Sequence, residues 1–105
     1  REGATVAVAD IDLAAAEKAA AAIGDKAYAV RLDVTDQASI EAAVKAVETR
    51  TGGLDILINN AAIFDLAPIV EITRASYDKL FSVNVAGTLF MLQAAARSMI
   101  ARGKG

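Results

Sequence analysis

Three short apolar runs constrain the fold of this chain more than any other feature. They lie at residues 5–9, at about 28–32 and within 54–62, and each is followed by a stretch with helical spacing. Strand and helix thus alternate with a period of about 25 residues, and the runs are apolar throughout instead of alternating with polar residues. This pattern predicts parallel βαβ units with right-handed crossovers, in an α/β fold whose sheet is covered by helices on both faces.

The predicted helices begin at residues that are suited to N-capping. Asp12 precedes the first helix, Thr35 precedes the second, and Thr73 begins a long third helix. The buried side of this third helix is predicted to carry Tyr77, Leu80, Phe81, Thr88, Met91, Leu92, Ala95 and Met99. Tyr77 and Lys79 are two residues apart, so they point to different sides of a helix and are not interpreted as a catalytic pair.

Composition excludes several classes of function. The 105 residues are 55% apolar, which is enough for one compact domain and too few for two. A net charge of −2 provides no basic patch for nucleic acid or an anionic membrane surface. Cys and His are absent, which removes disulfides, thiolate or histidine metal sites and a Ser-His-Asp triad. No uninterrupted apolar run approaches the roughly 20 residues of a membrane span and no signal peptide is recognisable, so a cytoplasmic location is expected.

Both ends of the sequence resemble interior parts of a longer protein. Residues 1–3 resemble the last turn of a helix closed by glycine, and the chain has no initiating Met. The glycine-rich turn at 103–105 resembles the end of a helix that leads into another strand. We therefore expect residues 1–105 to be a single domain that is truncated at both ends.

Polar residues stand where each of the three predicted strands ends. They are Asp10, Asp33 and the pair Asn59-Asn60. In open parallel sheets, ligands bind outside the carboxyl ends of the strands, so these three positions together favour a ligand crevice. Singly, each carboxylate can instead cap the following helix, beside Asp12 or Thr35, and the amides can bind loop backbone.

Asp10 carries information about the kind of dinucleotide such a crevice would hold. A carboxylate at this strand end can accept hydrogen bonds from both adenosine ribose hydroxyls, whereas a 2′-phosphate would meet a like charge. No Arg follows Asp10 closely, and Lys18 lies well into the next helix. The sequence therefore favours NAD over NADP.

Asn84 is a polar residue on the predicted buried side of the long helix. It lies four residues after Leu80 and four before Thr88. A carboxamide in that position costs stability unless it is hydrogen-bonded. It either ties down the neighbouring loop or serves catalysis, and the spacing alone does not choose between these roles.

These landmarks resemble those of the short-chain dehydrogenase/reductase family. The matching motifs are Asp10 after its strand, Leu32-Asp33-Val34-Thr35-Asp36, Asn59-Asn60-Ala61-Ala62, and Asn84 within Val83-Asn84-Val85-Ala86-Gly87-Thr88. Their order and spacing match along the whole segment. The family usually has Gly where this chain has Ala62.

The resemblance implies a partial Rossmann-like, doubly wound parallel sheet with an NAD site and no metal. The implied cofactor-binding residues are Asp10, Ile11, Asp33, Val34, Asn60, Ala61 and Ala62. Asp10 would hold the adenosine ribose, Asp33 would meet the adenine amino group, and Asn60 would line the part around the nicotinamide ribose. Asn84 would be the asparagine of the family's Asn-Ser-Tyr-Lys tetrad, holding the water that links the lysine to solvent.

The family reaction is hydride transfer between C4 of the nicotinamide and a secondary alcohol carbon, while the tyrosine takes or returns the hydroxyl proton. The family's glycine-rich loop is expected before residue 1, and the catalytic Ser and Tyr-x-x-x-Lys after residue 105. In the strand order 3-2-1-4-5 this segment would supply strands 2, 3 and 4, with a gap at the first strand. Alone, it is not expected to form a stable NAD-binding domain.

Residues 59–73 resemble bacterial short-chain sorbitol (polyol) dehydrogenases more closely. This implies NAD-dependent oxidation of a small polyol or related secondary alcohol to a ketose, with Phe64 and Asp65 bordering the substrate pocket. The helix from Thr73 would be the family's usual subunit-packing surface, giving a homo-oligomer, either dimer or tetramer.

Other interpretations remain open. A non-catalytic dinucleotide-binding or sensor protein would keep the crevice and lose the catalytic Tyr and Lys, and a related dehydrogenase would act on another alcohol or ketone. A receiver-type α/β domain predicts an acidic cluster with a phosphoacceptor Asp at a strand end. Asn59-Asn60 in that place disfavours the receiver interpretation.

Overall fold

The computed structural model describes residues 2–105, so the predicted helical turn at 1–3 lies partly outside the described residues. The elements occur in the order expected for an α/β chain. They are β1 (Val6–Asp10), α1 (Leu13–Ile23), β2 (Ala27–Arg31), α2 (Gln37–Thr51), a 3₁₀ turn (Ile69–Glu71), α3 (Arg74–Phe81), a π turn (Ser82–Gly87) and α4 (Thr88–Arg102).

The first half of the chain forms a βαβ unit. Strands β1 and β2 pair in parallel, in a register that runs from Val6 opposite Ala27 to Asp10 opposite Arg31. The crossover helix α1 buries Ala16 and Ala20, whose small side chains let the helix lie close to the strands. The predicted parallel α/β class is confirmed.

The third predicted strand differs from expectation. Residues 54–62 form no hydrogen-bonded strand, and the sheet of the described residues has the order β1-β2 only. A strand is defined by its ladder of backbone hydrogen bonds, and this segment has no neighbouring strand to form one. In the expected strand order its neighbour would be the first strand of the sheet, which would also cover the free edge of β1. The prediction of a third hydrogen-bonded strand is therefore wrong for this chain.

Two of the three predicted helix caps are confirmed. The Asp12 side chain accepts from the Ala15 N–H at 3.2 Å, and the Thr73 hydroxyl accepts from the Ser76 N–H at 3.1 Å. The prediction of Thr35 as the cap of α2 is wrong. Asp36 caps this helix, because the Thr35 hydroxyl donates to the carboxylate of Asp33 instead.

The long helix from Thr73 is interrupted by the π turn, and its predicted buried side is only partly confirmed. Met91 and Ala95 are buried in α4, as predicted. Tyr77, Phe81 and Leu92 are 44%, 49% and 54% exposed, and Thr88 is exposed as well, contrary to the prediction. A π turn adds a residue to the helical repeat, which shifts the exposed positions after it, such as Leu92. Tyr77 and Phe81 lie before the turn, so this shift does not account for their exposure.

The main core lies between α2 and α4. Ile40 and Val44 of α2 pack against Met91 of α4, and Leu32 and Leu57 pack against this cluster. This packing brings the end of β2 and the middle of residues 54–62 to the same hydrophobic cluster. The carboxyl end of β2 and the unpaired segment are thus held by one core.

The helical stretch Arg74–Arg102 is 29 residues long, with a mean hydropathy of 1.2 over its most apolar window. By its length and composition alone, this stretch could cross a bilayer. The count of uninterrupted apolar residues in the sequence did not predict such a stretch. In this structure its C-terminal half packs against α2. There the hydroxyl of the buried Ser98 donates to the Glu48 carboxylate at 2.5 Å.

Candidate active site

A chain of contacts, called the edge below, links Asp10, Val34 and Asn84 to the loop after Asn59-Asn60. The Leu32 N–H donates to the Asp10 carbonyl oxygen at 3.0 Å, which joins the ends of the two strands. Two residues beyond Leu32, Val34 contacts Gly87 of the π turn. Asn84, in the same turn, holds the backbone of Ile63. The edge therefore passes from the first strand end, through the π turn, to the loop after Asn59-Asn60.

Asp10 is exposed at the end of β1, and one of its carboxylate oxygens accepts a local hydrogen bond. Its Oδ1 accepts from the Asp12 N–H at 3.0 Å, which fixes the turn between β1 and α1. The other oxygen, Oδ2, accepts no hydrogen bond from the described residues. Ile11 is also exposed beside it. The local-turn role and a ligand role are thus compatible, since each uses a different oxygen.

Asp33 is arranged in a similar way at the end of β2. Its Oδ1 accepts from the Thr35 hydroxyl at 2.7 Å and from the Thr35 N–H at 2.9 Å. These hydrogen bonds, the hydroxyl first, lower the pKa of the Asp33 carboxyl below its ordinary value of 3.8. The Asp33 N–H donates to the Ser39 hydroxyl at 2.9 Å, which ties the strand end to α2. Asp33 is therefore a fixed, ionised acceptor at neutral pH.

Gly87 allows the π turn to approach the loop after β2. A Cβ at this position would lie 2.7 Å from Val34 Cγ2 and 3.2 Å from the Val34 carbonyl oxygen. Any side chain would push the two segments apart. An isolated Gly inside a helical pattern indicates such a close contact, and this signal was available in the sequence.

Asn84 ties down the neighbouring loop through both ends of its amide. Its Oδ1 accepts from the Ile63 N–H at 2.8 Å, and its Nδ2 donates to the Ile63 carbonyl oxygen at 2.7 Å. This is the pattern of a backbone pair in a sheet, made by a side chain. The structure thus shows the loop-binding role of Asn84. Each end of its amide makes one hydrogen bond to the backbone of Ile63.

The residues after the unpaired segment are largely exposed. Asn59 Nδ2 donates to the Thr88 carbonyl oxygen at 3.3 Å, so this amide braces the backbone. Asn60, Ala61 and Ala62 are exposed, and within residues 2–105 the Asn60 side chain makes no hydrogen bond. The Asn60 side chain is therefore available to a ligand, while the Asn59 amide already braces the backbone of Thr88.

Arg102 fixes the start of the unpaired segment. Its guanidinium donates to the Leu54 carbonyl oxygen at 2.9 Å and to the Asp55 carboxylate at 3.0 Å. The hydrogen bond from Arg102 and the nearby Lys104 lower the pKa of the Asp55 carboxyl below 3.8. The guanidinium occupies the space where a Cβ on Gly53 would lie. Sequence reasoning missed this contact, because nothing in the helical pattern marks an Arg that reaches back to a loop.

A cleft of about 270 Å³ adjoins the Asn84 contact. It is lined by Ile63, Phe64, Asp65, Ser76, Lys79 and Leu80. The Ser76 hydroxyl donates to the Asp65 carboxylate at 2.5 Å, which orients that carboxylate at the cleft. Within residues 2–105, no group of three or more His, Cys, Asp and Glu side chains is arranged to hold a metal.

Comparison with known sequences defines the family. The protein-family model described as short chain dehydrogenase matches residues 1–105. The chain belongs to the short-chain dehydrogenase family, as the sequence motifs predicted.

Two curated relatives and one solved structure are particularly similar. The sorbitol dehydrogenase of Cereibacter sphaeroides is 66% identical over 105 residues, which is 100% of this chain and 41% of that protein. The galactitol 2-dehydrogenase of Agrobacterium fabrum is 58% identical over 104 residues, which is 99% of this chain and 41% of that protein. The gluconate 5-dehydrogenase of Burkholderia cenocepacia, solved with NADP and tartrate, has a TM-score of 0.87 and 36% identity over 98% of this chain and 42% of its own. The chain thus spans less than half the length of these proteins.

Proposed function

We propose that the parent protein of this segment is an oxidoreductase that transfers hydride from a polyol, such as sorbitol or galactitol, to NAD and yields the ketose. The observation that carries the proposal is the continuous edge from Asp10 to Asn84, in a chain of this family. The substrate class is supported by the two polyol dehydrogenases, which share more than half of the aligned residues.

The choice of NAD rests on the geometry of Asp10. Its free Oδ2 can accept from a ribose hydroxyl, while a 2′-phosphate at the same place would face a carboxylate. The similar gluconate 5-dehydrogenase was solved with NADP, so the fold of the family does not by itself choose the dinucleotide. The carboxylate at the end of β1 supports the proposal of NAD.

The remaining cofactor contacts follow from the same edge. The ionised Asp33 is a suitable acceptor for the adenine amino group, beside the half-buried Val34. Ile11 offers an exposed apolar side chain for the adenine ring. The exposed Asn60, Ala61 and Ala62 are suited to line the part around the nicotinamide ribose.

When bound, the nicotinamide would accept the hydride from the alcohol carbon. Asn84 would contribute to the proton relay of the parent protein by holding a water at its backbone carbonyl oxygen, since its amide is engaged by Ile63. Asp65, oriented by Ser76 at the cleft, would border the polyol. The catalytic Ser, Tyr and Lys would come from the part of the parent protein that these residues do not include.

The assembly and location of the parent protein are also proposed. Several large apolar side chains are exposed on the helix from α3 to α4: Tyr77, Phe81, Leu89, Phe90 and Leu92. Such a surface is suited to a subunit interface, so we propose a homo-oligomer. We further propose a cytoplasmic location, where a soluble dehydrogenase meets its cofactor and a small-molecule substrate.

The test is a spectrophotometric assay of NAD reduction by the full-length protein with sorbitol, galactitol and L-iditol. The expected result is turnover of at least one polyol, with kcat/KM higher for NAD than for NADP by about tenfold or more. Activity only on non-polyol alcohols would contradict the substrate class. NAD binding without turnover of any alcohol would instead support a dinucleotide-binding protein.

A further inference from the structure

Thr88 stands at an unusual place in the helix, directly after the π turn. In a regular α-helix its N–H would bond to the carbonyl oxygen of Asn84, four residues earlier. Here the Thr88 N–H bonds to the Val85 carbonyl oxygen instead. The Thr88 hydroxyl donates to the Asn84 carbonyl oxygen at 2.9 Å, so the side chain of Thr88 makes the contact that its N–H would make in a regular helix.

This contact affects what the Asn84 carbonyl can do. A carbonyl oxygen has two acceptor sites, and the Thr88 hydroxyl uses one of them. Ile63 holds the side chain of Asn84, and Asn59 Nδ2 donates to the Thr88 carbonyl oxygen at 3.3 Å. The residues on both sides of this carbonyl are therefore anchored, and the Thr88 hydroxyl is the side-chain group that contacts the carbonyl oxygen itself.

We propose that Thr88 is a positioning residue for the proton relay, whose hydroxyl sets the direction of the Asn84 carbonyl oxygen toward the relay water. This inference rests on the proposed function. Thr88 acts through Asn84 and does not touch the substrate. Without the hydroxyl, the carbonyl oxygen loses this donor and one constraint on its direction.

The test uses the full-length protein with Thr88→Val, which has the same shape and no hydroxyl, and Thr88→Ser, which keeps the hydroxyl. For Thr88→Val we expect kcat to fall about tenfold, with the KM for the alcohol and the Kd for NADH within about twofold of wild type. The solvent deuterium isotope effect on kcat should increase, because proton transfer becomes more rate-limiting. Thr88→Ser should restore kcat to within about threefold of wild type.

The chain offers a matched control in Thr51. Its hydroxyl also lies 2.8 Å from a carbonyl oxygen four residues earlier, that of Val47, but at the end of α2, where the Gly53 carbonyl oxygen at 2.8 Å competes for the same proton. Thr51→Val should leave kcat and the isotope effect unchanged. If Thr88→Val does not fold, as judged by circular dichroism, the smaller Thr88→Ala is compared with Thr88→Ser in the same way.

Two results would overturn the inference: wild-type kcat and isotope effect in the hydroxyl-free variant, or equal losses in the Ser and Val variants. These results are distinct from failure of the proposed function. If the wild-type protein oxidises another secondary alcohol but no polyol, the polyol assignment fails, and the Thr88 comparison is made on the alcohol that is turned over.

Discussion

The βαβ unit of residues 6–31 and the unpaired segment of residues 54–63 are both apolar stretches that end in polar residues, yet they are held in different ways. The βαβ unit is fixed by a backbone ladder of five residue pairs and by a crossover helix. The unpaired segment has no ladder. It is fixed at its start by Arg102, in its middle by Leu57 and at its end by the amide of Asn84.

The difference shows that an apolar run forms a strand only when a neighbouring strand is present. Ile56 and Ile58 are 71% and 78% exposed, although their residue types favour a buried strand. The side-chain contacts keep the segment in place, but they do not cover its apolar residues. The predictions below test how far these contacts can replace a ladder, from the largest expected effect to the smallest.

The largest effect is expected when the 105-residue chain is expressed alone. Among the described residues, Ile40 is the one large side chain that is fully buried, and the edges of β1 and of the 54–63 segment are unpaired. We expect no cooperative thermal transition by circular dichroism and no upward shift with NAD. The full-length protein, measured in parallel, should show both. A sharp transition of the isolated chain that NAD raises would contradict the expectation.

Asn84→Ala in the full-length protein should produce the next largest effect. The substitution leaves the N–H and carbonyl oxygen of Ile63 without partners, at a half-buried position. We expect the free energy of unfolding to fall by about 2–4 kcal/mol, measured by urea denaturation. The control is Asn59→Ala, which removes an exposed hydrogen bond of 3.3 Å and should cost less than about 1 kcal/mol. Equal losses in the two variants would refute the special role of Asn84.

Gly87→Ala tests the contact between the π turn and the loop after β2. The added Cβ would meet Val34 Cγ2 at 2.7 Å, so we expect a loss of about 1–3 kcal/mol in the free energy of unfolding of the full-length protein. Combining it with Val34→Ala removes Cγ2 and should recover part of the loss, as a double-mutant cycle would show. Strictly additive losses would mean that the two residues do not meet.

Arg102→Gln should produce the smallest effect. The Asp55 pKa is lowered in the folded protein, so its pairing with Arg102 stabilises the fold at neutral pH and is lost as the pH falls through the folded pKa, below 3.8. The variant should raise the Asp55 pKa toward 3.8, measured by carboxyl NMR titration of the full-length protein. The Asp33 pKa, which depends on Thr35, should stay lowered. An unchanged Asp55 titration would show that Arg102 does not hold this segment in solution.

The sequence predicted the parts of the fold that depend on local patterns. The apolar runs and the cap at Asp12 were sufficient to predict β1, α1 and β2. The π turn was not predicted, because it adds one residue to the helix and the spacing of the apolar residues is helical both before and after it. Gly87 was the remaining signal that this helix is irregular.

The candidate site was predictable to a different extent. Asp10, Asp33 and Asn84 were found because polar residues at strand ends and on buried helix faces need partners. Ile63 was not found, since it contributes only its backbone to the contact with Asn84. The third strand does not form because it needs a neighbouring strand. No local pattern within residues 54–62 encodes whether such a neighbour is present.

A structure of the full-length protein with NAD tests the central claim most directly. We expect residues 54–60 to pair with a parallel strand that lies between them and β1. We also expect the Asp10 carboxylate to lie within hydrogen-bond distance of the adenosine ribose hydroxyls. If residues 54–60 remain unpaired in that structure, or if Asp10 lies away from the cofactor, this account of the segment and of its cofactor edge is wrong.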